Sequence, residues 1–467
     1  MPSILELHVD RSTATPLAEQ IRSGIAQAIV TGVLLPGARL PSWRDLSAQL
    51  GVARGTVRSA YERLLDAQMI VSSRSGGTRV AERPMTVQTP VAIEAPGSQF
   101  AQMYRQFSSG NGIFQMGVPS QDCFPAKLFA QIRTRTARAE LSSLSYPDPC
   151  GEPELRREIA AHLAISRSIE CSPSQVIITA GFNAGLGLVL RALGLEGCSA
   201  WIENPGFPLT RNALRLAGMQ TVPVPVDASG IDVPFGREHA PDAALAVVTP
   251  GQQAPMGPTL SLQRRLALLE WAAQADAWII EDDYLGELQL SGRAAPALAS
   301  LDRAGKVIHI GSFSKTISPT LRLGFVVAPL RLVPRIVDVA TCLAPAPGPA
   351  VQLATAEFMR DGHFLRHLRR SKRAYTARRD ALVAELERLG LTGETAGLAI
   401  LLGLPEDSDD VAIARQAMAF GLAPAPLSLW FDEQGSAPPG LLLGVTTTPD
   451  RRLEDAVSRL KGLIERK

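Results

Sequence analysis

Residues 311–324 read GSFSKTISPTLRLG, directly after the apolar run Val307-Ile308-His309-Ile310. The run has the length and composition of a buried strand, so Ser312, Ser314 and Lys315 fall where that strand ends. Open α/β sheets place ligands at the carboxyl ends of their strands. A lysine desolvated there loses part of its proton affinity and becomes the usual nucleophile toward a carbonyl compound. Arg322, seven residues on, adds a planar fork suited to a phosphate. Alone, S-x-S-K is more often an exposed loop lysine, so the reading needs a second marker.

Glu281-Asp282-Asp283-Tyr284 is that marker, directly after the run Ala277 to Ile280. A carboxylate at a neighbouring strand end can pair with a pyridine nitrogen and keep it protonated, and a nearby tyrosine hydroxyl can bond the ring's 3-oxygen. By itself E-D-D is commonly an acidic helix cap. With Lys315, the serines and Arg322 in the expected order, it describes a site for pyridoxal 5'-phosphate (PLP). Other pieces converge on it. Gly181 and Phe182 follow the strand-like Val176-Ile177-Ile178-Thr179 and open a helix from about Asn183 to Leu193, whose N–H groups can hold a phosphate. Phe207 can stack on the ring, and a glutamine of Gln252-Gln253 can reach its oxygen.

These runs belong to a series of short β-branched stretches alternating with helical ones from about residue 113: Trp201 to Glu203, Val222 to Val226, Ala246 to Val248, Trp278 to Ile280 and Phe325 to Val327. That alternation predicts a mainly parallel α/β sheet, with a smaller lobe from about residue 345 that ends in an amphipathic helix, Leu453 to Ile464. With 467 residues and 46% apolar content the chain can bury more than one core. Its net charge of +2 points to no partner. Five scattered cysteines without a C-x-x-C pair argue for a reducing cytoplasm and against a metal site. No signal peptide opens the sequence, and no run approaches the ~20 apolar residues that span a membrane.

The first 82 residues carry a different pattern. Leu17, Ile21, Ile25, Ala28 and Ile29 mark an amphipathic helix; a short helix capped by Ser42 follows, then a turn at Gly51-Val52 and a helix from about Ala53 to Ala67. Two helices across a tight glycine turn make a helix-turn-helix, and Met69 to Val80 alternates around Gly76-Gly77 as a hairpin wing would. Residues 36–80 hold seven arginines against three acids, net +4. Arg54, Thr56 and Arg58 open the third helix, the end that points into a major groove in this geometry, and Arg44 can reach a phosphate. Charge alone would describe a solvated surface; the order of elements favours double-stranded DNA. Residues 83–112, with several prolines and no sustained periodicity, read as a linker.

The run PGARLPSWRDLSAQLGVARGTVRSAYERLLDAQMI resembles the winged helix-turn-helix of GntR-type bacterial regulators. On that resemblance Arg44, Arg54, Thr56 and Arg58 contact operator DNA and the wing at Gly77 lies near the minor groove. Ala53 and Trp43 depart from the family's usual residues. Residues 113–467 resemble the fold-type-I aminotransferases through Y-x-D-P-x-G-x-x-x-L-R (Tyr146 to Arg156), E-D-D-Y and S-F-S-K-x-x-x-P-x-L-R-L-G. The two halves in this order resemble the MocR subfamily of GntR regulators. The resemblance implies Lys315 as the aldimine lysine, Asp282 rather than Asp283 on the pyridine nitrogen, Tyr284 on the 3-oxygen, and Ser312, Ser314 and Arg322 on the phosphate. It also implies a head-to-tail homodimer in which Tyr146 reaches the neighbouring subunit's phosphate.

Four departures bear on activity. Gln252 stands where the family has histidine, and Phe207 where tyrosine is frequent. Ala399 closes an A-G-L-H-like segment without the histidine, and Leu441-Leu442-Leu443-Gly444-Val445 lacks the arginine with which aminotransferases hold a substrate carboxylate. The expectation is a regulator that senses PLP or its aldimine with a small amine or amino acid. The alternatives are a working aminotransferase with an accessory DNA-binding head and a regulator that has lost PLP. His363 and His367, at i and i+4, read as part of a surface helix rather than a metal pair, and Arg366 to Arg379 as the solvated face of a long amphipathic helix.

Overall fold

The computed structural model describes residues 7–73, 77–82, 99–108, 112–141, 145–290, 292, 294–432, 437–448 and 451–465. The chain divides into two compact units, Met1–Ser98 and Gln99–Lys467.

In the first unit, helix α1 (Leu17–Val30) places Ile21, Ile25 and Ile29 on one buried stripe. Helix α2 (Trp43–Leu50) starts where the Ser42 hydroxyl accepts the Asp45 N–H at 3.2 Å, and it stops at Gly51, whose φ of +63° suits glycine. Helix α3 (Arg54–Asp66) buries Val57, Ala60, Tyr61 and Leu64 against that stripe. Burying each such aliphatic side chain contributes about 1.5–3 kcal/mol, which is what holds so small a core together. The Tyr61 hydroxyl, donating to Pro41 O at 2.8 Å, ties the third helix to the loop before the second. Strands β1 (Ile70–Ser73) and β2 (Gly77–Val80) pair antiparallel with Ile70 opposite Val80, forming the expected wing. The other half of its Gly76-Gly77 tip, with Arg74, lies outside the described residues.

The second unit is built on an eight-stranded sheet of β3 (Val176–Thr179), β4 (Ser199–Asn204), β5 (Gln220–Asp227), β6 (Gly230–Ile231), β7 (Leu245–Val248), β8 (Trp278–Asp283), β9 (Val307–Ser312) and β10 (Gly324–Val327), in the order β3-β10-β9-β8-β7-β4-β5-β6. The run β9-β8-β7-β4-β5 is parallel. The sheet is mixed, because β10 runs antiparallel to both β3 and β9, and β6 folds back on β5. All residues of β3, β7 and β10 are buried, as both-sided helix cover requires. A second sheet, of β11 (Gly393–Ala396), β12 (Ala399–Gly403), β13 (Ala425–Pro426) and β14 (Gly440–Gly444), is antiparallel in the order β11-β12-β14-β13.

Two expectations need correction. The stretch read as a linker contains a helix, Gln99–Ser108, whose Phe100, Met103 and Phe107 are half-buried at helical spacing, Phe107 against the core of the second unit. The helix His363–Arg388 is less superficial than its charge suggests. His367 is buried and sits between the carbonyl oxygens of Thr316, 2.6 Å away, and Cys123, 3.2 Å away, so this histidine is a core strut. Leu368, Tyr375 and Leu382 line the buried side as expected, and the hydroxyl of Tyr375 accepts the Ser120 N–H. Among the described residues no helix is long and apolar enough to cross a membrane.

Candidate cofactor site and DNA-binding head

The register of β10 draws one end of the site together. Gly324 pairs with Thr179 on one side and with Ser312 on the other, so the ends of β3 and β9 meet across the first residue of the strand between them. A Cβ on Gly324 would lie 2.9 Å from Gly311 O and 3.0 Å from Gly181 Cα; only glycine allows this approach. From β3 the chain turns through Gly181 (φ +86°) into the helix Phe182–Leu193. On the other side, Ser312 Oγ donates to Ser314 Oγ at 2.9 Å and accepts the Ser314 N–H at 3.1 Å. Arg322, held at φ +48°, brings its guanidinium to 3.7 Å from the point a Gly181 Cβ would occupy. A helix N-terminus, two hydroxyls and a guanidinium around the place a side chain at Gly181 would take are the groups with which a protein can hold an anion such as a phosphate.

Lys315, next after Ser314, is half-buried, with its Nζ donating to Gly117 O at 2.8 Å. Removal from water pushes its pKa down to about 8, and the charge of Asp282 opposes the shift. Gly117 has φ +77°, and a Cβ there would meet Lys315 Nζ at 2.6 Å. No sequence motif marks Gly117, because its partner lies 198 residues away.

Alternation along β8 separates its two aspartates. Asp283 bonds the buried Arg167, Oδ2 to Nε at 2.7 Å, with His309 Nε2 3.9 Å away. His309 also bonds Glu281 at 3.0 Å; burial works against its charged form, but these carboxylates outweigh it and raise its pKa. Asp282 faces the other way, lining a small cavity with Glu203, Phe207 and Thr249. Burial, then the charges of Asp283 and Glu203, raise its pKa well above the usual carboxylate range, and Lys315 pulls it back. Glu203 is itself pushed up to about 7 by burial, though Thr249 donates to it through N–H at 3.1 Å and Oγ1 at 2.6 Å. Sequence reading missed both Arg167 and Glu203; neither stands in a motif with the group it supports.

The Phe207 ring lies 6.5 Å from Phe182 and 5.7 Å from Trp430. Tyr284 is half-buried, and its hydroxyl is raised by burial and by Asp282. Of the two glutamines, the Gln253 amide donates to Pro205 O at 2.7 Å and Ala254 O at 2.8 Å, which fixes it to the backbone. Gln252 keeps a buried Oε1 without a hydrogen-bond partner. Tyr146 is fully exposed, at 101% relative exposure.

In the head, Arg54 and Arg58 are exposed and Thr56 is half-buried in the first turns of α3. Arg58 Nε bonds Glu62 at 2.9 Å. Arg44, in the first turn of α2, stacks over the Trp43 ring at 4.9 Å. The Arg39 guanidinium reaches the wing, 3.4 Å from the Cβ position of Gly77. No motif marks Arg39 for this contact, since only the fold carries it to the hairpin.

Residues 17–80 match the bacterial regulatory proteins of the gntR family, and residues 114–420 match aminotransferase class I and II. The probable rhizopine catabolism regulatory protein MocR of Rhizobium meliloti is 34% identical over 474 aligned residues, spanning 97% of this chain and 95% of the relative. The chain belongs to the MocR-type GntR regulators. Another relative of this MocR-type chain is the HTH-type pyridoxine biosynthesis transcriptional regulator PdxR of Corynebacterium glutamicum, 32% identical across 90% of this chain and 89% of its own length. An archaeal alanine:glyoxylate aminotransferase shares the fold with a TM-score of 0.72 at 27% identity, over 80% of this chain and 96% of that one. The MocR-type chain is a helix-turn-helix transcriptional regulator with an aminotransferase-like half, and operator DNA is the partner of such a head.

Proposed function

We propose that this regulator binds PLP in its aminotransferase-like half, senses a small amine there and reads its operator as a homodimer. The observation that carries the reading is the grouping of Gly181, Ser312, Ser314 and Arg322, with Lys315 on one side and Asp282 beyond it. Ser312, Ser314, Arg322 and the N–H groups at Gly181 and Phe182 would hold the phosphate. Asp282, free of the Arg167 pair that occupies Asp283, would face the pyridine nitrogen; Phe207 would cover the ring and Tyr284 would donate to its 3-oxygen. When bound, PLP supplies an aldehyde for Lys315 or an amine and a protonated ring that acts as an electron sink. Lys315, with a pKa of about 8, has an appreciable neutral fraction near physiological pH and is suited to that attack. The full exposure of Tyr146 in the single chain supports its reaching a second copy.

Arg44, Arg54, Thr56, Arg58 and the Gly77 wing would form the DNA contact. The test is operator binding by the full chain, measured by gel shift on its own upstream region with and without PLP. The reading expects PLP to change the apparent affinity and Arg322→Ala to remove that response while leaving the PLP-free binding intact. Equal shifts at every PLP concentration contradict it.

A further inference from the structure

The wing of the head is wider than its hairpin. Residues 37–40 run along β2 as a third extended segment: the Leu40 N–H donates to Thr78 O at 2.9 Å, the Val80 N–H to Ala38 O at 2.9 Å and the Gly37 N–H to Val80 O at 3.0 Å. The first two bonds flank Arg39 and Arg79 and make them a non-hydrogen-bonded antiparallel pair. In such a pair the Cα atoms stand about 4.5 Å apart and both side chains leave the same face of the sheet. Val71, opposite Arg79 on β1, continues that row and is exposed, whereas Ile70 and Val80 on the other face are buried in the core of the head. Alternation therefore puts both arginines on the outer face of the wing.

Like charges directly opposite each other destabilise a sheet unless an anion neutralises them. Elsewhere the head supplies that anion itself: Arg22 and Arg63 pair with Glu19, and Arg58 with Glu62. Among the described residues neither Arg39 nor Arg79 has a carboxylate partner. Arg79 uses one N–H on Gly37 O at 2.9 Å. Arg39 lays its guanidinium beside the wing tip, with Nη2 3.5 Å from where a Cβ of Gly77 would stand. Both side chains are exposed, so the rest of their donors face water. The fold has set two positive charges side by side where only a partner from outside can neutralise them.

Resting on the reading of the head as a DNA-binding unit, we infer that Arg39 and Arg79 clamp the sugar-phosphate backbone beside the wing, each guanidinium on a phosphate. A planar fork matches phosphate oxygens, and a backbone contact fixes the wing on the duplex without reading its sequence. The pair thus adds affinity on every duplex, in contrast to Arg54 and Arg58 at the opening of α3, which face base edges in this reading.

The test is the salt dependence of DNA binding by the full chain, followed by fluorescence anisotropy on a labelled duplex of its own upstream region and on an unrelated duplex of the same length. Each phosphate neutralised contributes about 0.9 to the slope of log affinity against log salt. Arg39→Gln and Arg79→Gln are each expected to reduce the slope by about 1, and the double variant by about 2. Each single variant should weaken both duplexes by the same factor, roughly tenfold at about 0.1 M salt. Arg39→Lys and Arg79→Lys keep the charge and should keep the slope. Relieving a like-charged pair should leave the melting temperature no lower; where a glutamine variant does not fold, Arg39→Met and Arg79→Met, which keep the apolar stem, take its place. A double variant with the wild-type slope overturns the inference and leaves the DNA reading of the head standing. A loss confined to the upstream duplex also overturns it, since the pair would then read bases. If the wild type binds neither duplex, both readings fall.

Discussion

The DNA-binding head and the cofactor site use the same kinds of side chain in opposite surroundings. In the head, Arg54 and Arg58 lie open to water on one helix, and the arginine partner nearest in space, Glu62, is four residues from Arg58. In the second unit, Arg167 and Asp283 meet across 116 residues with almost no exposure. Exposed charges are screened and contribute little to stability, so the head can spend them on a partner. Buried charges must be matched, and removing one partner leaves the other stranded. Substitutions in the second unit should therefore act mainly through folding and cofactor retention, and those in the head through affinity alone.

The largest effect should come from Arg167→Met. It leaves Asp283 buried among Glu281 and Glu287 without its counter-charge, and about 3–5 kcal/mol of stability should disappear in urea unfolding. An unchanged midpoint would mean that the buried pair matters no more than the surface ones. Next, Gly181→Ala forces a side chain onto a φ of +86° at about 1–3 kcal/mol and intrudes toward Arg322. Equilibrium dialysis should show at least about tenfold weaker PLP retention, while operator affinity without PLP stays as it was; equal losses in both would erase the contrast.

The pH dependence sharpens the same point. Because burial depresses Lys315 to about 8, only about a tenth of it is neutral at pH 7 and nearly all is neutral above pH 9. The rate of PLP capture, followed by stopped-flow absorbance, should rise about tenfold across that range with a midpoint near 8. A midpoint near 10.5, the value of a solvated lysine, would show that the amine is not desolvated. In the head, Arg54→Ala should lose about 1–3 kcal/mol of specific operator binding in a gel shift, with thermal stability unchanged. The smallest change is expected for Trp43→Ala, about 0.5–1 kcal/mol, since the ring only steadies the Arg44 guanidinium 4.9 Å above it. Trp43→Phe should restore most of that loss.

The head was legible because its determinants are local. Ser42 caps α2 from one residue away, Gly51 sits in the turn, and the isoleucines of α1 repeat within one helix. Lys315 and the Glu281 to Tyr284 run were legible for a similar reason, since each follows its own strand directly. Periodicity did not reveal the direction of β10: four buried residues read alike in a parallel or an antiparallel strand, and only the pairing with Thr179 and Ser312 decides. Gly117, Arg167 and Glu203 escaped because each acts on a partner far away in sequence. The helix Gln99–Ser108 was hidden by its polar composition, although Phe100, Met103 and Phe107 carried its spacing. No motif announces that Arg167 pairs with Asp283, a contact made across more than a hundred residues, so sequence alone leaves the two aspartates alike.

The most direct test of the central claim is the absorption spectrum of the purified full chain after incubation with PLP, beside Lys315→Ala, followed by borohydride reduction. The account predicts a band at the violet edge of the visible range in the wild type, fixed covalently to residue 315 on reduction and missing from the variant. A wild type that stays transparent after PLP is added, or a variant that shows the same reducible band, would contradict it.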